Sequence, residues 1–207
     1  MTLSDRLARV ALSRLSEPGD PRLTSLVAEL GAARLHELIV AERDLQGVST
    51  DVAARLATCE PERELEQADR LGIRFVVPTD AEWPTQVGDL AAAGDLQERG
   101  GPPIGLWVKG PLRLDVLAAS VAVVGSRSST PYGNRVATDL AAELARHDVP
   151  VVSGAAFGID QAAHRGALAG SDEGRTVAVL AGGADKAYPA AHRALIDHIA
   201  SVGAVIS

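Results

Sequence analysis

The 207-residue sequence has one cysteine, Cys59, so no internal disulfide can form, and no Cys/His spacing suggests a metal cage. A reducing cytoplasm is the expected compartment. Aromatic residues make up only 3% of the chain, and Lys109 and Lys186 are its two lysines, every other cation being arginine. No apolar run approaches the roughly 20 residues that cross a bilayer; the longest, residues 116–124, is interrupted by Ser120. The N-terminus, Met1-Thr2-Leu3-Ser4-Asp5-Arg6, leads straight into an amphipathic pattern, without the basic patch and apolar segment of a secretory signal. Membrane insertion and export are therefore not expected. Chemical fingerprints are missing as well: there is no G-x-G-x-x-G, no G-x-x-x-x-G-K-[ST], and no G-x-S-x-G around Ser153. These absences argue against a dinucleotide cofactor, P-loop hydrolysis and acyl transfer. The expectation is a protein with no cofactor, no metal and no catalytic residue.

What the chain does have is apolar content. At 46% it can bury one good core and has room for a second, smaller unit. The formal charge is −7, unevenly distributed: residues 1–110 carry 12 Lys+Arg against 18 Asp+Glu, and residues 111–207 carry 8 against 9. A site for a polyanion, if present, belongs in the second half as a local basic patch, since net charge does not exclude a focused positive groove.

Residues 1–71 read as short helices. Leu3, Leu7, Val10, Ala11 and Leu15 share one helical face, Glu17-Pro18-Gly19-Asp20-Pro21 breaks the chain, and apolar-periodic stretches follow at about 22–30, 32–43, 50–58 and 62–71. Such a unit resembles a SAM or helix-hairpin-helix module touching DNA or a partner, or equally an acidic cap with no ligand. Residues 72–118 are read as extension strands and linker, with strands at 73–78 and 104–109 around a Gly/Ala/Asp/Pro-rich loop. From residue 119 short apolar runs alternate with helix-length segments: strands at 121–125, 149–154, 176–183 and 204–207, and helices at about 132–147, 159–170 and 190–201. β-branched runs between helices predict a parallel sheet covered on both faces, a Rossmann-like doubly wound α/β domain over residues 119–207. The last strand has no helix after it, so this domain is expected to be C-terminally incomplete.

In an open parallel sheet the carboxyl ends of all strands lie on one rim, and three of them here carry glycine loops. The first is Gly125-Ser126-Arg127-Ser128, leading to a helix with Thr130 as N-cap and Pro131 at its first position. A helix N-terminus beside two hydroxyls and an Arg is an anion site, although a sharp turn alone would also need the glycine. The second is Ser153-Gly154-Ala155-Ala156-Phe157-Gly158, followed by Asp160 and His164. The last two share a helix face and can hydrogen-bond each other, as an acid–base pair or as structural support for the loop. Phe157 can stack a base or anchor the loop in the core. The third loop, Gly182 to Pro189, leads to His192 and Arg193 and presents Lys186 and Tyr188; Tyr188-Pro189 is a stacking platform or simply a rigid turn. Cations along a backbone and rings for bases are what a single-strand binder needs.

Three ordered blocks, Gly125-Ser126-Arg127 with Tyr132-Gly133, Ser153-Gly154 through Gly158-Ile159-Asp160 with Ala163-His164, and Val177 through Asp185 with Tyr188-Pro189, then Gly203 with Ile206-Ser207, resemble the DNA-processing protein A (DprA/Smf) family over about residues 105–207. The resemblance implies binding and protection of single-stranded DNA, loading of the RecA recombinase in natural transformation, and a homodimer in full-length members. It also implies that Arg127 lies in a phosphate-holding pocket. Where many members carry Lys-x-Asn after Tyr-Pro, this chain has Ala190-Ala191-His192, so Lys186 or Arg193 would have to supply the cation. The expected DNA-contacting set is Gly125, Ser126, Arg127, Ser128, Ser153, Gly154, Phe157, Gly158, Lys186, Tyr188, His192 and Arg193, with Asp160 and His164 in support. The main alternative is a nucleoside-monophosphate phosphoribohydrolase of the LOG (lysine-decarboxylase-like) type, which also opens on a Gly-Ser turn; its Pro-Gly-Gly-x-Gly-Thr block is missing. A helical adaptor that docks a protein through residues 1–71 is a third reading.

Overall fold

A computed structural model describes residues 4–15, 17–44, 59–92 and 100–207. The chain divides into two compact units, residues 1–70 with 75–106, and residues 71–74 with 107–207. The first unit holds helices α1 (Asp5–Leu12), α2 (Pro21–Leu30), α3 (Ala32–Asp44) and α4 (Pro61–Arg70). Their starts follow from the sequence. The Asp20 carboxylate accepts from the amides of Arg22 and Leu23, and Pro21 occupies the first turn, where a missing N–H costs nothing. Ala8, Leu12, Val27, Ala32, Leu35 and Ile104 form the core of this unit. Arg9 donates to the Ile104 carbonyl at 2.8 Å, and Arg6 pairs with Asp80 at 2.6 Å. The helix expected at 50–58 lies outside the described residues.

A six-stranded sheet holds strands β1 (Ile73–Val76), β2 (Leu106–Lys109), β3 (Val121–Ala122), β4 (Val151–Ser153), β5 (Thr176–Val179) and β6 (Ala204–Ile206) in the order β1-β2-β6-β5-β4-β3. The pairs β3/β4, β4/β5 and β5/β6 are parallel, and β2 runs antiparallel to β6. This is the mainly parallel α/β fold that the alternating pattern predicts. Helices α5 (Pro131–Arg146), α6 (Ile159–Gly170) and α7 (Arg193–Val202) make the crossovers. The strands are shorter than the apolar runs that announced them. The run at 121–125 keeps ladder pairing only at its start, and its remainder turns into the rim loop. The last helix begins at Arg193 and not at 190, because residues 190–192 form a single 3-10 turn.

Small side chains set how closely α5 and α6 approach. Ala137, Ala141 and Ala145 of α5 face Ala162, Ala163 and Ala167 of α6 in one buried cluster with Val123 and Val151. At Gly166 and Gly170 the α6 backbone rests on the Thr138 and Ala142 carbonyls, where a Cβ would overlap those oxygens. The Thr138 hydroxyl donates to the Ala162 carbonyl at 3.2 Å, pinning the register of the two helices.

Gly166→Ala tests this packing. Helix propensity favours alanine by up to about 1 kcal/mol, whereas overpacking against backbone costs about 1–3 kcal/mol. The backbone contact cannot rotate away, so the variant is expected to be less stable than the parent in urea unfolding; a gain in stability would show that the helices can separate freely.

Candidate nucleic-acid interface

The three glycine loops meet on one rim at the carboxyl ends of β3, β4 and β5. The loop after β3 is folded by its own side chains: the Ser126 hydroxyl accepts from the Ser128 amide at 3.1 Å, which puts Arg127 at the apex of the turn. Thr130 caps α5 by accepting from the Gly133 amide at 3.1 Å, with Pro131 in the first turn as the sequence predicts. The positive end of the α5 dipole therefore lies directly after Arg127 and Ser128. Gly125, Ser126, Arg127 and Ser128 are all exposed.

The loop after β4 lies against the first one. The Ile159 amide donates to the Ser126 carbonyl at 3.2 Å. Gly158, at φ +78°, sits so close to the Ser126 and Arg127 backbone that no side chain would fit. Within this loop Ala155 has φ +55°, a left-handed conformation that costs a non-glycine residue about 1 kcal/mol or more. Two groups hold it there. The Asp160 carboxylate accepts from the amides on either side, Gly154 at 3.2 Å and Ala156 at 3.4 Å, and the His192 Nδ1–H donates to the Ala155 carbonyl at 2.8 Å. The second bond also ties the loop after β5 to the loop after β4.

Burial sorts the expected contact residues into two groups. Arg127, Gly154, Phe157, Lys186, Tyr188 and Arg193 are exposed. Ser153 and His192 are not: they are 2% and 3% exposed, and each is spent on a carbonyl, the Ser153 hydroxyl donating to Val123 at 2.6 Å and His192 to Ala155. Both were expected in the DNA-contacting set. Their place is beneath the surface, because a polar group at a strand end inside packed loops satisfies itself on the nearest backbone acceptor.

The hydrogen bond available to Asp160 and His164 through their spacing does not form. Asp160 turns to the loop amides, and His164, fully buried, meets the Thr176 hydroxyl through Nδ1 at 2.8 Å. The Thr176 hydroxyl donates its one proton to the Val151 carbonyl, so the oxygen accepts from His164 and the imidazole carries its hydrogen on Nδ1. Burial lowers the His164 pKa from 6.5 to about 4, with the Asp160 charge opposing the shift. Asp160 thus serves the loop after β4, while His164 ties α6 to the first residues of β4 and β5.

Sequence reasoning missed Tyr132. Its ring, in the first turn of α5 beside the Ser126–Ser128 loop, is 78% exposed, with Tyr188 at 73% and Phe157 at 47%. Half of the six aromatic residues in the chain therefore sit on or beside these loops, largely in water. The scarcity of aromatics was the available signal. Arg127, Lys186 and Arg193, together with Arg165 on α6, make no ion pair among the described residues, whereas Arg113, Arg146 and Arg175 elsewhere in this unit are all paired with carboxylates.

An open α/β sheet whose strand-end rim gathers glycine loops, a helix N-terminus, unpaired cations and exposed rings offers the groups that an anionic, ring-bearing ligand requires. The chain belongs to the DNA recombination-mediator protein A family, whose pattern matches residues 74–207. It is 42% identical over 199 residues to the putative DNA processing protein DprA of Mycobacterium tuberculosis, covering 95% of this chain and 51% of that protein. The X-ray structure of DNA processing protein A from Streptococcus pneumoniae superposes with a TM-score of 0.71 at 25% identity, over 100% of this chain and 68% of that one. DNA processing protein A from Helicobacter pylori, whose structure was described for its single-stranded DNA binding mode, matches at 27% identity and a TM-score of 0.51, over 65% of this chain and 54% of that one. The chain thus spans about half the length of the curated relative it matches. Among the described residues no helix is long and apolar enough to cross a membrane.

The buried neutral His164 has a consequence for stability. In the unfolded chain it takes up a proton near pH 6.5, while in the folded protein it resists down to about pH 4. Its contribution is therefore whole above pH 6.5 and is lost as the pH falls from 6.5 to about 4, by about 3 kcal/mol in all. Urea unfolding at stepped pH is expected to show this slope in the parent protein and a shallower one in His164→Gln. Identical slopes would mean that His164 is not the group being titrated.

Proposed function

We propose that the rim formed by the loops after β3, β4 and β5 binds single-stranded DNA, and that the chain protects such strands as part of a cytoplasmic DNA-processing protein that delivers them to the RecA recombinase. The observation that carries this reading is the coincidence of unpaired cations and exposed rings on one rim of an otherwise acidic protein. Arg127, at the apex of its turn and next to the α5 N-terminus, takes a phosphate through its guanidinium fork, with the Ser126 and Ser128 hydroxyls and the Gly125 and Gly154 backbone close around it. Lys186 and Arg193 continue the track as cations on either side of Tyr188-Pro189. Phe157 and Tyr188 supply rings for bases, and Gly158 lets the two loops approach closely enough for one strand to touch both. No bond is made or broken. Base stacking and phosphate contacts tolerate any sequence, so affinity should follow strand length and salt more than base identity. The name and substrate of the Helicobacter pylori relative support the same assignment.

Fluorescence anisotropy with labelled oligo-dT at low and near-physiological salt tests the reading. The parent chain is expected to bind, and to bind less as salt rises. Arg127→Ala should lower affinity by about tenfold and flatten the dependence of log K on log salt by about 0.7, the loss of one single-strand phosphate contact. Unchanged affinity in Arg127→Ala would remove the first loop from the site; no binding by the parent at low salt would remove the reading.

A further inference from the structure

We infer that His192 is a positioning residue that presents the Phe157 ring to a nucleobase, so that base stacking at the loop after β4 is controlled from the loop after β5. The inference rests on the single-stranded DNA reading of the rim. Its evidence is geometric. The rings of Phe157 and His192 meet edge-on, with centroids 4.4 Å apart and planes at 60°. The two partners are exposed very differently, Phe157 at 47% and His192 at 3%. A ring braced at its edge by a buried neighbour, yet half open to water, is held in place without having its stacking surface used up. The brace is itself fixed: the His192 Nδ1–H donates to the Ala155 carbonyl, two residues before Phe157, in the left-handed turn that Asp160 clamps from the other side. The His192 Nε2 is buried and has no hydrogen-bond partner among the described residues, so no atom of this side chain is placed to reach a strand in water.

Two functions are thereby separated on one rim. Arg127 answers to phosphate and is indifferent to whether a base is attached, whereas Phe157 answers only to the base. A loose Phe157 ring would lose entropy on every stacking event; the His192 contact removes that loss in advance.

The test compares binding to oligo-dT and to an abasic strand of equal length with the same phosphates, using the parent, Phe157→Ala, His192→Asn and the double variant. Asn can keep a hydrogen bond to the Ala155 carbonyl but has no ring to brace Phe157. His192→Asn and Phe157→Ala are each expected to reduce the preference for the base-bearing strand by about tenfold, the worth of one stacked base, while affinity for the abasic strand stays within about twofold. The double variant should be no worse than Phe157→Ala, because His192 acts through that ring. His192→Gln serves as a second variant should His192→Asn fail to fold. Losses by His192→Asn on both strands alike, additive losses in the double variant, or an unchanged preference would each overturn the positioning role. A parent that binds both strands equally would overturn it too, while leaving the phosphate site intact. A parent that binds neither strand would instead reject the single-stranded DNA reading itself.

Discussion

The left-handed turn at Ala155 is the constraint on which the rim depends. A non-glycine residue at φ +55° persists only where its surroundings over-determine it. Here a carboxylate on α6 holds the amides to either side, and an imidazole from the loop after β5 holds the carbonyl. The turn they hold leads the chain to Gly158, which packs against the Ser126 backbone of the loop after β3. Three segments distant in sequence are thus coupled through one backbone torsion, and the two side chains that hold it, Asp160 and His192, lie below the surface, out of competition with a ligand.

Charge follows the same division of labour. The acidity of the chain resides mainly in its first half, and most arginines there and on the outer helices are neutralised by nearby carboxylates, as in the Arg9–Asp5 and Arg146–Glu143 pairs. Exposed pairs of this kind add little stability, but each removes a cation from long-range attraction. Arg127, Arg165, Lys186 and Arg193, around the loops, have no such carboxylate partner among the described residues. A protein with a formal charge of −7 can in this way present a local positive field to a polyanion while repelling it elsewhere.

Membership of the DNA recombination-mediator protein A family accounts for the fold and for the order of the glycine blocks, and the match to the Streptococcus pneumoniae structure extends over the whole chain. Ala190-Ala191-His192 follows Tyr188-Pro189, and the histidine is turned inward as a support; the exposed cations on that side are Lys186 and Arg193.

The parallel sheet, the positions of α5 and α6, and the Thr130-Pro131 helix start were legible in the sequence, because each is decided locally: by β-branched runs, by helical spacing, and by a hydroxyl three residues from the amide it caps. The glycines of the loops were legible for the same reason, since φ is a property of one residue and its neighbours. What the sequence could not determine was which polar groups on those loops face outward. Spacing put Asp160 and His164 on one helix face but not in contact, and it grouped His192 and Ser153 with Arg127 although they are buried while Arg127 is not. Those outcomes depend on which carbonyl or hydroxyl from another segment lies within hydrogen-bonding reach: Val123 for Ser153, Thr176 for His164, Ala155 for His192. The choice between a ligand and a support was therefore made only when the sheet brought segments some 12 to 37 residues apart against one another, because a buried polar group must be satisfied by whatever backbone the tertiary structure places beside it.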